Sequence, residues 1–201
     1  LNATVSFLQL WELGLRGPLT DQQREDLVRI QRNQRHLMSL IEDLLSFTRL
    51  EAGRLDVECV PVAMDDALQG LEAMIAPQMA AKSVQFDYER CGDDLVALGD
   101  RDRIVQIGLN LLTNALRATP QGGRVHMECS QDEATVSLVV ADTGVGIPPD
   151  KLDSIFSPFT QLGRALNQPK EGAGLGLAIS RGLAEAMGGT LTATSAVGIG
   201  S

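Results

Sequence analysis

Two asparagines and an arginine share one face of a predicted helix. Asn110, Asn114 and Arg117 follow one another at spacings of four and three residues, which brings their side chains onto one side of an α-helix. An asparagine carbonyl is a hard oxygen ligand suited to Mg²⁺, and an arginine can hold a phosphate with two parallel N–H donors. Taken alone, the stretch also fits an amphipathic helix whose polar residues face water.

A carboxylate and two glycines follow a predicted strand. Asp142 stands at the end of that strand, and Gly144, Gly146 and Ile147 come directly after it. A carboxylate in this position can accept a hydrogen bond from an exocyclic amine, and paired glycines let the backbone approach a flat ring. An ordinary surface turn is the alternative explanation for this motif.

A long irregular stretch, residues 160–172, comes next and contains Arg164 and Lys170. A connection of this length without regular pattern is usually a lid or a disordered loop. Phe156 and Phe159 precede it, and we expect both rings to anchor the base of the lid in the core.

A second glycine cluster opens a predicted helix over about 175–187. It contains Gly172, Gly174, Leu175 and Gly176. Backbone amides at a helix start, aided by the helix dipole, can hold phosphate oxygens, although tight turns and helix packing also use such glycines. A Rossmann unit is excluded because its glycines belong to the first strand-to-helix turn, whereas the glycines of this chain come late in the domain. A Walker loop is excluded as well, because no GxxxxGK followed by Ser or Thr occurs.

A helical hairpin is predicted in front of these motifs. Apolar residues recur every three or four positions over 1–15, Gly14 and Gly17 end that helix, and Thr20 with Gln23 forms a capping box that starts a second one. The second helix carries a heptad seam, formed by Leu27, Ile30, Gln34, Leu37, Ile41, Leu44 and Thr48. Its wide apolar surface predicts two hairpins in a dimeric four-helix bundle, and packing on the rest of the same chain is the alternative.

The remainder of the chain is predicted to form a second domain. Gly53 ends the hairpin, so the expected domains are residues 1–56 and 57–201. Helices are predicted over 64–81, 100–117 and 175–187, and strands over 57–61, 84–88, 124–130, 135–141 and 190–194. This order predicts an α+β fold, a two-layer α/β sandwich with helices on one side of a mixed sheet.

Charge and cysteine content exclude several classes of protein. A net charge of −9 repels a phosphate backbone, so no nucleic-acid partner is expected. Cys59, Cys91 and Cys129 form an odd set without CxxC spacing, which suggests neither a disulfide framework nor a zinc site and fits a reducing cytosol. No apolar run approaches the roughly 20 residues of a membrane span. We therefore expect a cytoplasmic segment, with any membrane anchor outside it.

Taken together, the four motifs resemble the N, G1, F and G2 boxes of the histidine kinase ATP-binding domain, in the family's order. HLMSLIEDLLSFTRLEAGRL is similar to the end of the second helix of the family's dimerisation and phosphotransfer domain. The resemblance covers nearly the whole chain and implies the Bergerat or GHKL fold. It implies a sensor histidine kinase core, which uses Mg²⁺ and ATP to phosphorylate a hairpin histidine for transfer to a response-regulator aspartate.

The resemblance also implies roles for single residues. Asn114 would ligate Mg²⁺, Asn110 and Arg117 would lie near the phosphates, and Asp142 would read the adenine amino group. The remaining residues would line the adenine pocket or the phosphate side and lid, namely Gly144, Gly146, Ile147, Lys170, Gly172, Gly174, Leu175 and Gly176. Leu1-Asn2-Ala3 looks like the sequence after the family's H box, so the acceptor histidine is expected upstream of Leu1.

Two alternatives remain at this point. One is a catalytically silent, nucleotide-binding dimeric scaffold of the same fold, whose acceptor position is not histidine. The other is a gyrase-like, chaperone-like or mismatch-repair-like ATPase, against which the heptad hairpin and the modest lid argue. Ala118 departs from the aromatic or histidine that the family commonly carries there, so packing near the ribose is expected to be looser.

Overall fold

The second helix of the hairpin begins and ends where the sequence predicts. A computed structural model describes residues 7–8, 10–11, 13–15, 17–92, 95–132, 134–161 and 173–201. Helix α1 spans Asp21–Glu51, and its capping box is confirmed: the Thr20 hydroxyl accepts from the Gln23 amide at 3.3 Å, while the Gln23 side chain accepts from the Thr20 amide at 2.9 Å. Residues 7, 8, 10 and 11 are helical and precede it.

A glycine in the left-handed conformation ends α1. Gly53 has φ of 61° and donates its amide to the Leu50 carbonyl at 3.0 Å, and Arg54 donates to the Arg49 carbonyl at 3.0 Å. These two bonds form a Schellman motif and satisfy carbonyls that the helix leaves free. The predicted end of this helix at Gly53 is therefore confirmed.

Two small sheets and three further helices follow. The elements are β1 (Val60–Ala63), α2 (Met64–Ala81), β2 (Gln85–Tyr88), β3 (Val96–Gly99), α3 (Arg101–Ala118), β4 (Arg124–Gln131), β5 (Val136–Asp142), two 3-10 turns (Pro149–Lys151 and Ser154–Phe156) and α4 (Gly176–Ala186). Strand β1 pairs with β3 in antiparallel fashion, while β4 pairs parallel to β2 and antiparallel to β5. The second sheet is therefore mixed, as predicted.

The main core lies between this mixed sheet and helices α2 and α3. Val125 and Met127 of β4 point into it and are fully buried, as are Leu68 and Leu71 of α2 and Leu112 of α3. Burial of such apolar side chains provides the main favourable term in folding. The layered α+β fold predicted from the order of elements is confirmed.

A second apolar cluster connects α4 to α3 and to the end of α1. Ile179 and Leu183 of α4 pack with Ile107 of α3, and Phe47 of α1 joins them. Leu50 of α1 lies directly over α4 at Gly182, where a methyl group would overlap its side chain. The carboxyl end of α1 thus rests on α4.

Most of the apolar seam of α1 remains uncovered in the single chain. No residue of α1 is buried, and the side chains of Ile30 and Leu44 are 47% and 48% exposed. Across the described part of the chain, none of the helices combines enough length and hydrophobicity to cross a lipid bilayer.

Two predicted strands differ from the structure. The strand expected over 57–61 starts instead at Val60, because the Glu58 amide donates to the Asp100 carboxylate at 3.3 Å rather than to a neighbouring strand. Residues 190–194 do alternate between exposed and half-buried positions, as a strand would. Among the described residues no strand pairs with them, and the alternation reflects the packing of Leu191 against the second cluster.

One disulfide forms that the spacing of the cysteines did not suggest. Cys91 and Cys129 are joined by a disulfide, with their Cα atoms 5.2 Å apart. Cys91 follows β2, which runs parallel to β4, and this pairing brings together two cysteines that are 38 residues apart in the chain. Cys59 is free and exposed.

Candidate functional site

Helix α3 presents the predicted polar face. Its start is fixed by Asp100, whose carboxylate accepts from the Asp102 amide at 3.0 Å and the Arg103 amide at 3.2 Å. The apolar side of α3 faces the core, so the polar residues on its other side lie at the boundary with solvent. Asn110 and Asn114 are half-buried there, and Arg117 is exposed.

Helix α4 meets α3 at Asn110. The Asn110 side-chain amide donates to the Ser180 hydroxyl at 2.7 Å. Gly176, at the start of α4, lies so close to the Asn110 amide that a methyl group there would overlap it. The structure therefore brings together Asn110 and Gly176, which the sequence assigns to one site from motifs 66 positions apart.

The turn after β5 is held by hydrogen bonds to its own carboxylate and backbone. One carboxylate oxygen of Asp142 accepts from the Gly144 amide at 2.7 Å, and the Asp142 amide donates to the Ser201 carbonyl at 2.8 Å. Burial raises the pKa of Asp142 above its usual 3.8, while hydrogen bonds from the Gly144 and Ser201 amides oppose the rise. The carboxylate is thus a half-buried acceptor in a fixed turn.

This turn lies against the end of α3. The Val145 amide donates to the Ala118 carbonyl at 3.3 Å. A methyl group on Gly144 would come within 2.7 Å of the same carbonyl oxygen, so glycine is required for the close approach. Asn114 is one helical turn before Ala118, which places the Asp142 turn beside the predicted metal ligand.

The candidate site is the face of α3 between these two contacts. Asn110, Asn114 and Ala118 recur every four residues and lie on that face in order. Eight residues of α-helix separate its ends by about 12 Å at 1.5 Å per residue. Helix α4 closes one end and the Asp142 turn closes the other, so a ligand of that length would contact both.

A carboxyl-terminal segment around Ser195 packs against the turn after β5. The site predicted from the sequence did not include this segment. The Ser195 hydroxyl accepts from the Ile147 amide at 2.7 Å and donates to the Gly200 carbonyl at 2.7 Å. Gly146 has φ of 68° and approaches the Ala196 carbonyl too closely for any side chain. The serine at 195 carries no motif, and the nearby Gly198–Gly200 pair is the signal that could have indicated this support.

The two flanks of residues 162–172 lie against each other. Gly174 has φ of 71°, and a methyl group on it would come within 2.9 Å of the Thr160 carbonyl oxygen. Leu175 is buried in the second apolar cluster. Lys170 and Gly172, which the sequence assigns to the phosphate side, lie outside the described residues.

The expectation that both phenylalanines anchor the lid base in the core is wrong. Ile155 is the buried side chain of that segment, at 8% exposed, whereas Phe159 is 62% exposed. The Phe159 ring contacts the Phe47 ring of α1, with centroids 6.0 Å apart and planes at 70°. Phe156 is half-buried and lies under the guanidinium carbon of Arg181, 5.2 Å from its ring centroid.

Helix α1 also comes near Arg117, which the sequence assigns to the phosphates. Burial raises the pKa of Asp43, the neighbouring Glu42 charge raises it further, and the positive charge of Arg117 opposes both. A cavity of about 320 Å³ opens between the end of α1 and α4, beside Phe47 and Gly182. None of the residues predicted to bind the nucleotide lines it.

A cluster of possible metal ligands lies elsewhere on the molecule. One group of possible ligand side chains was found among the described residues, formed by Glu89, His126 and Glu128. Their ligand atoms all lie within 4.8 Å of one another. His126 and Glu128 alternate along β4 with the buried Met127, so they occupy the sheet face opposite the helices. This cluster is therefore separate from Asn114.

Comparison with known proteins agrees with the fold and motifs. Residues 99–201 match the family described as histidine kinase-, DNA gyrase B-, and HSP90-like ATPase, and residues 1–53 match the His Kinase A (phospho-acceptor) domain. The chain belongs to the sensor histidine kinases of two-component systems, within that ATPase family.

Individual relatives are similar over all or most of the chain. Histidine protein kinase DivJ of Caulobacter vibrioides is 34% identical over 201 residues, which are all of this chain and 34% of DivJ. Full-length ShkA in complex with AMPPNP superposes with a TM-score of 0.76 and 32% identity, covering 92% of this chain and 38% of ShkA. The catalytic domain of histidine kinase ThkA superposes with a TM-score of 0.57 and 26% identity, covering 66% of this chain and 82% of the ThkA domain. The chain thus spans about a third of the lengths of DivJ and ShkA.

Proposed function

We propose that this chain binds ATP with Mg²⁺ along α3 and supports transfer of the γ-phosphoryl group to a histidine on the helical hairpin. Onward transfer to a response-regulator aspartate is part of the same proposal. The supporting observation is that the asparagine face of α3 lies between the start of α4 and the Asp142 turn. AMPPNP, an ATP analogue, is bound in the similar ShkA structure. Residues 1–56 would be the dimerisation and phosphotransfer domain, and residues 57–201 the ATP-binding domain.

The phosphate side suits a magnesium nucleotide. Asn114 offers a half-buried amide oxygen, a hard ligand of the kind Mg²⁺ prefers. When bound, the metal would neutralise phosphate charge and align the γ-phosphoryl group, the two main requirements of phosphoryl transfer. Arg117 would meet the phosphates from the exposed end of α3, and the amides near Gly174 and Gly176 would hold their oxygens.

The adenine side suits a purine with an exocyclic amine. The half-buried Asp142 carboxylate accepts from the Gly144 amide and, with about four lone-pair positions on its two oxygens, can also accept from the adenine amino group. Gly144, Gly146 and Ile147 would shape the pocket wall, because their backbones are fixed by Ala118 and Ser195. Lys170, Gly172 and Leu175 would complete the lid side.

The uncovered seam of α1 supports a homodimer. Its exposed apolar side chains are those that a second hairpin would bury in a four-helix bundle. A receiver domain is the partner expected for the hairpin of such a kinase, and the cytoplasm is the expected compartment.

A labelling experiment would separate an active kinase from a catalytically silent scaffold. The full-length protein is incubated with γ-labelled ATP, and an active kinase should then carry acid-labile phosphate.

Nucleotide affinity tests the site assignment directly. We expect Asn114→Asp and Asp142→Ala each to weaken Mg²⁺-ATP binding by about tenfold or more, because one disturbs the metal ligand and the other removes the amine acceptor. Isothermal titration calorimetry of the wild-type chain and the two variants gives the affinities. Asn33→Asp and Asp150→Ala change exposed residues outside the site and serve as matched controls. Unchanged affinity in both site variants would contradict the proposal.

A further inference from the structure

Ser180 is a buried polar residue whose hydrogen bond reaches the candidate site. Among the described residues, Asp65, Thr119 and Ser180 are the buried polar or charged ones. Thr119 donates its hydroxyl to the Ala115 carbonyl of its own helix at 2.7 Å, and Asp65 pairs with Arg90. Ser180, only 1% exposed, instead accepts from the Asn110 side chain. Since buried polar groups are hydrogen-bonded, this contact joins α3 to α4 at the site.

The contact holds the Asn110 amide against α4. Its nitrogen donates to the Ser180 hydroxyl at 2.7 Å, and the amide oxygen faces the start of α4 at Gly176. Gly176 and Ser180 are one turn apart on α4, so a single helix face contacts both ends of the amide. A methyl group at position 176 would overlap this amide, which is why glycine is needed there.

An unsupported amide would not keep this orientation. The terminal torsion of an asparagine side chain has a broad, roughly two-fold preference, so without a partner its oxygen and nitrogen exchange places easily. Exchange would direct N–H donors toward the position that the oxygen occupies next to Gly176. The hydrogen bond that the Asn110 amide donates to the buried Ser180 hydroxyl restricts this rotation before any ligand binds.

We propose that Ser180 is a positioning residue that orients the Asn110 amide for magnesium-nucleotide binding. This inference rests on the proposed ATP site and adds to it a residue outside the glycine cluster of α4. Ser180 acts through Asn110 and does not itself touch the nucleotide. Because Ser180 belongs to α4, the same bond connects the metal side of α3 to the helix that follows the lid segment.

A double-mutant cycle separates positioning from a general effect on folding. We expect Ser180→Ala to weaken Mg²⁺-ATP binding by about three- to tenfold, the range for losing one buried hydrogen bond. The same change made in an Asn110→Ala background should have almost no further effect, because the group that Ser180 orients is already absent. Calorimetric titration with Mg²⁺-ATP measures all four affinities, and thermal unfolding checks that each variant is folded.

Two further variants complete the test. Ser137→Ala removes an exposed hydroxyl on β5 and should leave affinity unchanged. Ser180→Thr retains the hydroxyl acceptor and should restore most of the affinity lost in Ser180→Ala. The inference is overturned if Ser180→Ala binds like wild type, or if its effect is equally large with and without Asn110. Failure of the wild-type chain to bind Mg²⁺-ATP would instead refute the proposed function itself.

Discussion

Helices α1 and α2 are both amphipathic, yet only one of them finds its partner within the chain. Helix α2 buries seven of its 18 residues against α3 and the mixed sheet. Helix α1 has 31 residues and buries none of them, although its end rests on α4 through Phe47 and Leu50. An apolar stripe therefore indicates that a helix needs a partner, and the contacts of the whole fold show whether the same chain supplies it.

The largest expected difference is in the cost of truncating a leucine in each helix. Leu71 of α2 is 0% exposed, and Leu71→Ala should lower the free energy of unfolding by about 2–5 kcal/mol, because it leaves a cavity in the core. Leu44→Ala in α1 should change it by less than about 0.5 kcal/mol in dilute monomer, because Leu44 is 48% exposed. Urea unfolding at low protein concentration measures both.

Sedimentation velocity completes this comparison. Leu44→Ala should shift the protein from dimer to monomer at a concentration where Leu71→Ala, if folded, remains dimeric. A chain that stays monomeric at all concentrations, with or without these substitutions, would contradict the expected pairing of hairpins.

A smaller loss is expected from removing the disulfide of the second domain. Cys91→Ser should lower the free energy of unfolding by about 2–4 kcal/mol, because the unfolded chain regains the freedom of a 38-residue loop. Cys59→Ser, which changes the free and exposed cysteine, is the matched control and should have little effect. Denaturant unfolding under non-reducing conditions measures the difference, and equal stability of the two variants would argue against the cross-link.

The smallest expected effect is the loss of the Asp65 contribution to the free energy of unfolding at acidic pH. A hydrogen bond from Arg90 lowers the pKa of Asp65 below its usual 3.8. The folded carboxylate therefore contributes stability that is fully present above the unfolded pKa and is lost as the pH falls through the lower, folded pKa. Asp65→Asn should flatten the stability profile below about pH 4, whereas Asp66→Asn, on the exposed side of the same turn, should not. An unaltered profile in Asp65→Asn would show that the Arg90 contact contributes nothing.

Local features of the fold are readable from the sequence because neighbouring residues create them. The capping box at Thr20, the glycine end at Gly53 and the cap at Asp100 each depend on side chains within a few positions. The prediction of a strand over 190–194 was wrong because a strand depends on a partner that is distant in the sequence. A strand requires a backbone partner, which alternation of residue types does not guarantee.

Contacts between distant segments were not readable. The bond between Asn110 and Ser180 joins residues 70 positions apart, and the disulfide depends on the parallel pairing of β2 with β4. The exposed ring of Phe159 depends on the approach of α1, which no motif encodes. The site motifs were recognisable because their residue types suit phosphate, metal and amine chemistry, while the supports behind them are ordinary serines and backbone groups.

The most direct test of the candidate site is where a divalent metal binds when ATP is present. Mn²⁺ can replace Mg²⁺ at oxygen ligands and broadens the NMR signals of nearby nuclei. Titration of Mn²⁺ with ATP should broaden the side-chain amide signals of Asn114 and Asn110, while the backbone signals of His126 and Glu128 stay sharp. Broadening at His126 and Glu128 with sharp Asn114 signals would place the metal on the opposite face of the sheet and contradict the assigned site.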